Sequence, residues 1–107
     1  MSQLNEIIHQ PVRLKIMATL RAMPKGAQIE FIRLNSIIGT TEGNLGAHII
    51  TLENRGYLTV KKDFFGKRPR TRISLTHAGR RAFEAHVAYL RDVIDGGPPQ
   101  SSPGGVR

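Results

Sequence analysis

The apolar pattern of the sequence changes its period at Gly56, and this change limits the folds that the chain can adopt. Before Gly56, apolar residues recur every three or four positions, as they do along one face of a helix. After it, residues 57–65 and 70–75 alternate as strands do, and the run Gly66-Lys67-Arg68-Pro69 between them is typical of a turn. Helical spacing then returns from Thr76, a candidate N-cap, to about Ile94. The sequence therefore predicts helices, an antiparallel β-hairpin and a long final helix.

Helix caps and helix breakers divide the first half of the chain into short segments. Pro11 suits the first position of a helix because its φ is already fixed near the helical value. Gly39 suits a helix end, and Thr40 and Thr41 offer hydroxyl N-caps to the helix that follows. The expected elements are a short leading helix around Leu4, Ile7 and Ile8, a helix from Pro11 to about residue 23, a small strand within residues 27–30, and helices over residues 31–38 and 42–55.

The length and composition bound the domain organisation and the chemistry. We assign one domain to residues 1–95 and predict that the Gly-, Pro- and Ser-rich residues 96–107 are a disordered tail. The absence of cysteine excludes disulfides, thiol nucleophiles and thiolate metal sites. No apolar run approaches the ~20 residues that cross a bilayer, and no signal-peptide pattern opens the chain. We therefore expect a cytoplasmic protein without a membrane role.

Positive charge is concentrated in the predicted hairpin. Lysine and arginine number 16 against 8 acidic residues, a net charge of +8, and residues 57–76 alone carry +5. A charge run is often only a solvated face, but cations at a hairpin tip favour contact with the phosphates of a nucleic acid. The candidate phosphate-binding residues are Lys62, Lys67, Arg68, Arg70 and Arg72.

The helix over residues 42–55 has a narrow apolar stripe and an almost uncharged opposite face. At 100° per residue, Leu45, Ile49 and Leu52 point inward, and residues 42–56 carry a net charge of only −1. Small and hydrogen-bonding residues on the remaining surface allow close approach to base edges. The candidate base-contacting residues are Thr41, Asn44, Ala47, His48 and Thr51. His48 is an equally good candidate for a packed or capping residue.

Two short helices joined by a tight turn and followed at once by a hairpin resemble the winged helix-turn-helix. The chain is similar to the winged-helix transcriptional regulators of the MarR and ArsR type, and most similar to a compact single-domain winged-helix DNA-binding family. The resemblance covers residues 4–94 and rests on five stretches, 10–14 (QPVRL), 41–49 (TEGNLGAHI), 52–58 (LENRGYL), 64–71 (FFGKRPRT) and 75–83 (LTHAGRRAF).

The resemblance implies a fold class and a function. The fold would be α+β and mostly helical, with a three-helix core, a β-hairpin wing and a long C-terminal helix. The protein would bind double-stranded DNA sequence-specifically as a repressor-type transcriptional regulator, with a recognition helix in the major groove and the basic wing on flanking phosphates.

Surplus apolar residues at both ends of the predicted domain favour a homodimer. They exceed what three short core helices need to cover, so a two-fold partner could bury them. Members of the similar family commonly dimerise through their terminal helices, which agrees. The candidate interface residues are Leu4, Ile7, Ile8, Val87, Leu90 and Ile94.

One alternative function remains open from the sequence. Winged helices also serve as protein-interaction modules, and the nearly neutral recognition helix with its outward Ile50 fits that use. The four histidines are scattered, and neither a metal site, a cofactor motif nor a catalytic constellation can be recognised, so we expect no enzyme activity. A small-molecule effector cannot be assigned.

Overall fold

The element order predicted for the domain is confirmed by a computed structural model, which describes residues 4–96. The fold is α+β and mostly helical, with a helical core, a β-hairpin and a long last helix. The elements are α1 (Glu6–His9), α2 (Pro11–Arg21), β1 (Ile29–Glu30), α3 (Phe31–Ile38), α4 (Glu42–Asn54), β2 (Leu58–Phe65), β3 (Arg68–Leu75) and α5 (His77–Gly96).

Local capping chemistry explains where the helices begin. The Thr41 hydroxyl accepts a hydrogen bond from the Asn44 N–H at 3.1 Å, as predicted for the start of α4. The Thr76 hydroxyl accepts from the Gly79 N–H at 2.9 Å in the same way at the start of α5. Pro11 opens α2, and Gly39 ends α3 in the left-handed conformation at φ 79°.

The three strands form one antiparallel sheet in the order β1-β3-β2. In the hairpin, Asp63 lies opposite Arg70 and Phe65 lies opposite Arg68. The turn therefore contains only Gly66 and Lys67, and the predicted four-residue turn is wrong. Gly66 has φ 66°, which the first position of a two-residue type II′ turn requires and glycine readily adopts.

Register gives the hairpin two faces of different character. The face that we call inner packs towards the helices, because Leu58 and Ile73 on it are buried in the core. It also carries Val60, Lys62, Phe64, Pro69, Thr71 and Leu75. The outer face carries Thr59, Lys61, Asp63, Phe65, Arg68, Arg70, Arg72 and Ser74.

The core lies between the helices and the inner face of the hairpin. Its fully buried side chains include Ile16 of α2, Leu34 of α3, Leu45 and Leu52 of α4 and Ile73 of β3. The inward stripe predicted for α4 is confirmed by this burial.

Two predicted assignments at the ends of the domain need correction. Ile8 is fully buried in the core of the protomer, so it cannot belong to an exposed dimer stripe. Helix α5 extends to Gly96, which was assigned to the disordered tail. The rest of that predicted tail, residues 97–107, lies outside the described residues. Within residues 4–96, no helix is both long enough and apolar enough to span a membrane.

Candidate nucleic-acid interface

Helix α4 turns a surface of small and polar residues away from the core. Leu45, Ile49 and Leu52 anchor it, while the opposite side is open to solvent. A helix whose outer face is small can approach the base edges of a major groove closely. The exposed residues of this face are Gly43, Asn44, Ala47, Ile50 and Asn54.

The hydroxyl and amide groups predicted for base contact already hold local hydrogen bonds. The Asn44 side-chain amide donates to the Thr40 hydroxyl at 2.8 Å. The Thr51 hydroxyl donates to the Ala47 carbonyl oxygen at 3.2 Å, one turn earlier in α4. Asn44 keeps a second amide hydrogen and its carbonyl oxygen for an external partner, so it is the better equipped of the two to contact a base.

His48 contacts another side chain of the protein. Nδ1 of His48 lies 3.1 Å from a guanidinium nitrogen of Arg13 in α2, and Arg13 also donates to the Ile7 carbonyl oxygen. Burial lowers the pKa of His48, and the positive charge of Arg13 lowers it further. A neutral His48 therefore links α4 to α2 and α1, as in the packing alternative of the sequence analysis. Arg13 was missed as a partner because it lies far from His48 in the sequence.

The cations of the hairpin divide into free and paired groups. Lys61, Lys62 and Lys67 are exposed, and Arg68 is exposed with a weak ion pair to Glu30 at 3.7 Å. These four side chains remain available to a polyanion, because an exposed ion pair as long as that between Arg68 and Glu30 contributes little and can be replaced by a contact with phosphate.

Arg70 and Arg72 instead share one carboxylate. Arg70 Nε donates to Asp63 at 2.8 Å, Arg72 binds the other oxygen of Asp63, and Arg72 also donates to the Gln28 side chain at 2.9 Å. The hydrogen bond from Arg70 is the main reason that the pKa of Asp63 is lowered. Arg70 and Arg72 thus lie further from the tip on the outer face, and these two candidate phosphate-binding residues are engaged by Asp63 within the chain.

A groove of about 540 Å³ separates α4 from the inner face of the hairpin. Gly46, Ile50 and Glu53 of α4 lie on one side, and Val60, Lys62 and Thr71 lie on the other, with Phe31 and Ile49 completing the lining. The Lys62 ammonium and the Thr71 hydroxyl are thus donors on the wall that faces α4. No pattern in the sequence points to this groove, because the groove depends on the packing of the hairpin against α4.

The remaining predicted interface residues lie in α1, just before it and along α5. Leu4 is 40% exposed and Ile94 is 79% exposed. Leu90 is half-buried, and Ile7 and Val87 are half-buried against the core. No cluster of three potential metal-ligating side chains occurs among residues 4–96.

Comparisons with known proteins agree with this geometry. Residues 12–94 match the family model of the winged helix DNA-binding domain. An uncharacterised protein of Methanocaldococcus jannaschii is 34% identical over 82 residues, which is 77% of this chain and 86% of the relative. The transcriptional regulator homologue of Pyrococcus horikoshii OT3 superposes with a TM-score of 0.77 at 33% identity, covering 86% of this chain and 88% of that one. Bacillus subtilis PadR, solved in complex with operator DNA, shares the fold at 16% identity with a TM-score of 0.60, over 94% of this chain and 54% of PadR.

The helix pair α3–α4 followed by the β2–β3 hairpin defines a winged helix-turn-helix protein. The chain belongs to the winged helix DNA-binding domain family, and the resemblance to winged-helix transcriptional regulators is confirmed. By position in this fold, α4 corresponds to the helix that is called the recognition helix in such proteins, and the β2–β3 hairpin corresponds to the wing.

Proposed function

We propose that the protein is a homodimeric transcriptional regulator that binds double-stranded DNA sequence-specifically and acts as a repressor. Helix α4 enters the major groove, and the wing holds the flanking phosphates. The observation that carries the proposal is the groove between α4 and the inner face of the wing, which has Ile50 of the exposed face of α4 on one side and Lys62 on the other. A phosphodiester strand beside α4 would meet cations there and at the tip.

The positions of the available cations indicate that the wing and α4 contribute to DNA binding in different ways. Lys61, Lys62, Lys67 and Arg68 supply affinity for phosphate that does not depend on sequence. Asn44 and Ala47 lie on the exposed face of α4, with Thr41 and Thr51 at their sides, and these residues supply the sequence preference. His48 acts through its contact with Arg13, which fixes the orientation of α4 on α2.

Apolar residues at the end of α5 support the dimer. Val87, Leu90 and Ile94 follow helical spacing, and exposure rises along them from half-buried to 79% at Ile94. A two-fold partner on this stripe would bury it and would present two α4 helices to half-sites about one DNA turn apart.

Binding-site selection from a random duplex pool, followed by anisotropy titrations over a range of salt concentrations, tests the proposal. The selected duplexes should share a two-fold symmetric motif. Joint replacement of Lys67 and Arg68 by alanine should weaken binding to every duplex and reduce the log–log salt slope by about 2, at ~0.9 per phosphate contact. The matched control replaces Arg81 and Arg91 by alanine. These two arginines are exposed on α5, and this helix packs mainly on α1 and α2.

The control should leave the salt slope unchanged although it removes the same charge. Asn44→Ala should instead reduce the preference for the selected motif over random DNA, with little change on random DNA. A protein that binds no duplex at low salt, or that enriches no motif, would contradict the proposal and leave the protein-interaction module as the better description.

A further inference from the structure

The wing tip carries two adjacent phenylalanines that the core does not use. Phe64 is 67% exposed and Phe65 is 64% exposed. An exposed phenylalanine lacks the favourable free energy that burial of its large apolar surface would contribute. Two such side chains next to each other on a hairpin therefore indicate a surface that meets a partner.

Phe65 has a structural explanation within the chain. It lies on the outer face, where the guanidinium carbon of Arg70 is 5.3 Å from the centre of its ring. That distance is in the range of a cation–π contact. Arg70 is itself held by Asp63, so Phe65, Arg70 and Asp63 form one packed unit on the outer face.

Phe64 points to the opposite side of the wing. It shares the inner face with Lys62 and Thr71, which line the groove beside α4, and its cross-strand partner Pro69 is also exposed. The tip next to it carries Lys67 and Arg68. Phe64 is therefore an exposed apolar side chain with Lys62 on the same face and with Lys67 and Arg68 at the adjacent tip, and that face is turned towards α4.

We propose that Phe64 is an apolar wedge that enters the minor groove next to the α4 site and partly unstacks one base step. This inference rests on the proposed DNA-binding function. Lys67 and Arg68 would hold the two phosphate strands at the groove edges while the ring enters between base pairs, which bends the duplex away from the protein. Pyrimidine–purine steps unstack most easily, so Phe64 would add sequence preference at a position that α4 does not reach.

The chain offers a matched control for this proposal in Phe65. Phe64→Ala and Phe65→Ala remove the same side chain from neighbouring, equally exposed positions on opposite faces. Both variants and Phe64→Leu are compared with the unchanged protein on a duplex recovered by binding-site selection, with 2-aminopurine placed in turn at the steps flanking the motif. Affinity, 2-aminopurine fluorescence and electrophoretic bending are measured.

Phe64→Ala should weaken binding about tenfold and abolish a fluorescence increase at one flanking step, while Phe64→Leu should retain much of both because leucine also acts as a wedge. Phe65→Ala should keep the fluorescence signal and the bend. The affinity loss of Phe64→Ala should shrink on a duplex with a mismatch at that step, since the mismatch is already partly unstacked.

Two outcomes would overturn the wedge while leaving DNA binding intact. One is equal affinity, fluorescence and bending for Phe64→Ala and the unchanged protein. The other is loss of self-association in Phe64→Ala alone, by sedimentation velocity, which would assign the residue to a contact between copies. Failure of the unchanged protein to select any duplex would instead contradict the proposed function itself.

Discussion

The backbone of Gly79 lies against the carbonyl group of Tyr57, where a Cβ on Gly79 would come within 2.2 Å of the Tyr57 oxygen. This contact seats the first turn of α5 on the junction between α4 and β2. The adjacent Thr76 N–H donates to the same Tyr57 oxygen at 3.0 Å, so the carbonyl cannot easily move away.

Gly79→Ala should therefore destabilise the protein by about 2–3 kcal/mol, as overpacking against a fixed backbone does. The free energy of unfolding in urea measures the effect. Gly43→Ala is the control, because a Cβ there meets nothing within 4 Å and α4 should gain up to about 1 kcal/mol. Equal stability of Gly79→Ala and the unchanged protein would mean that α5 can shift away from Tyr57 at little cost.

The shared carboxylate of Asp63 predicts how DNA affinity depends on charge. Asp63→Asn removes the anion that pairs with Arg70 and Arg72, so both guanidiniums lose their counter-charge and become more available to phosphate. Binding to random duplex should tighten, and the log–log salt slope should increase by about one to two units.

Glu84→Gln provides the control for that charge change. Glu84 pairs with Arg21 at 2.9 Å between α5 and α2, so its replacement also removes one carboxylate from an arginine pair. It should change the slope little, because neither residue lies on the wing. A slope for Asp63→Asn that matches the control would indicate that Arg70 and Arg72 do not reach DNA.

The helix boundaries could be predicted from the sequence because their causes are local. Pro11, Thr41 and Thr76 act on backbone groups within a turn of themselves, and the inward stripe of α4 follows from spacing alone. The fold class followed from the order of these local signals.

The pairing of side chains could not be predicted, because it depends on register and on long-range packing. A four-residue turn would have set Asp63 opposite Arg72, whereas the observed two-residue turn sets it opposite Arg70. The contact between Arg13 and His48 spans 35 residues of sequence. The contacts of Asp63 with Arg70 and of Arg13 with His48 determine which candidate site residues are already bound within the chain.

A buried histidine, His86, predicts the pH dependence of stability. His86 is fully buried, its Nδ1 accepts the Asn5 N–H at 3.2 Å, and its Nε2 lies 3.3 Å from Nδ1 of His9. Burial lowers the pKa of His86, and His9 lowers it further. The unfolded chain therefore binds a proton at this histidine more readily than the folded chain does. The stabilising contribution of neutral His86 is fully present above about pH 6.5, and it is lost as the pH drops from there towards the lowered pKa.

Urea unfolding across this range should show stability falling with decreasing pH, with a contribution from His86 of at most about 1.4 kcal/mol per pH unit. His86→Gln should have a shallower slope whatever its overall stability, because glutamine does not titrate. His77→Gln, at an exposed position at the start of α5, should keep the slope of the unchanged protein. An unchanged slope in His86→Gln would assign the pH dependence to other groups.

The proposed dimer can be tested at the end of α5. Ile94 is the most exposed large apolar residue among those described, and it continues the helical line from Val87 and Leu90 out of the core. An aspartate there would be desolvated without a partner at a two-fold interface. Ile94→Asp should therefore give a monomer in sedimentation velocity experiments. Its urea midpoint should no longer depend on protein concentration, because unfolding is then not coupled to dissociation. Ile37→Asp, the same change at an exposed isoleucine of α3, should remain dimeric.

DNA binding by Ile94→Asp separates the contribution of the α5 end to dimerisation from the contribution of the wing to phosphate contact. Affinity for a duplex with two half-sites should fall to that for a single half-site, because the second α4 is no longer linked to the first. The salt slope per protomer should stay unchanged, since the wing is intact. If the unchanged protein sediments as a monomer, the proposed dimer is rejected. If Ile37→Asp dissociates the dimer and Ile94→Asp does not, the interface lies elsewhere.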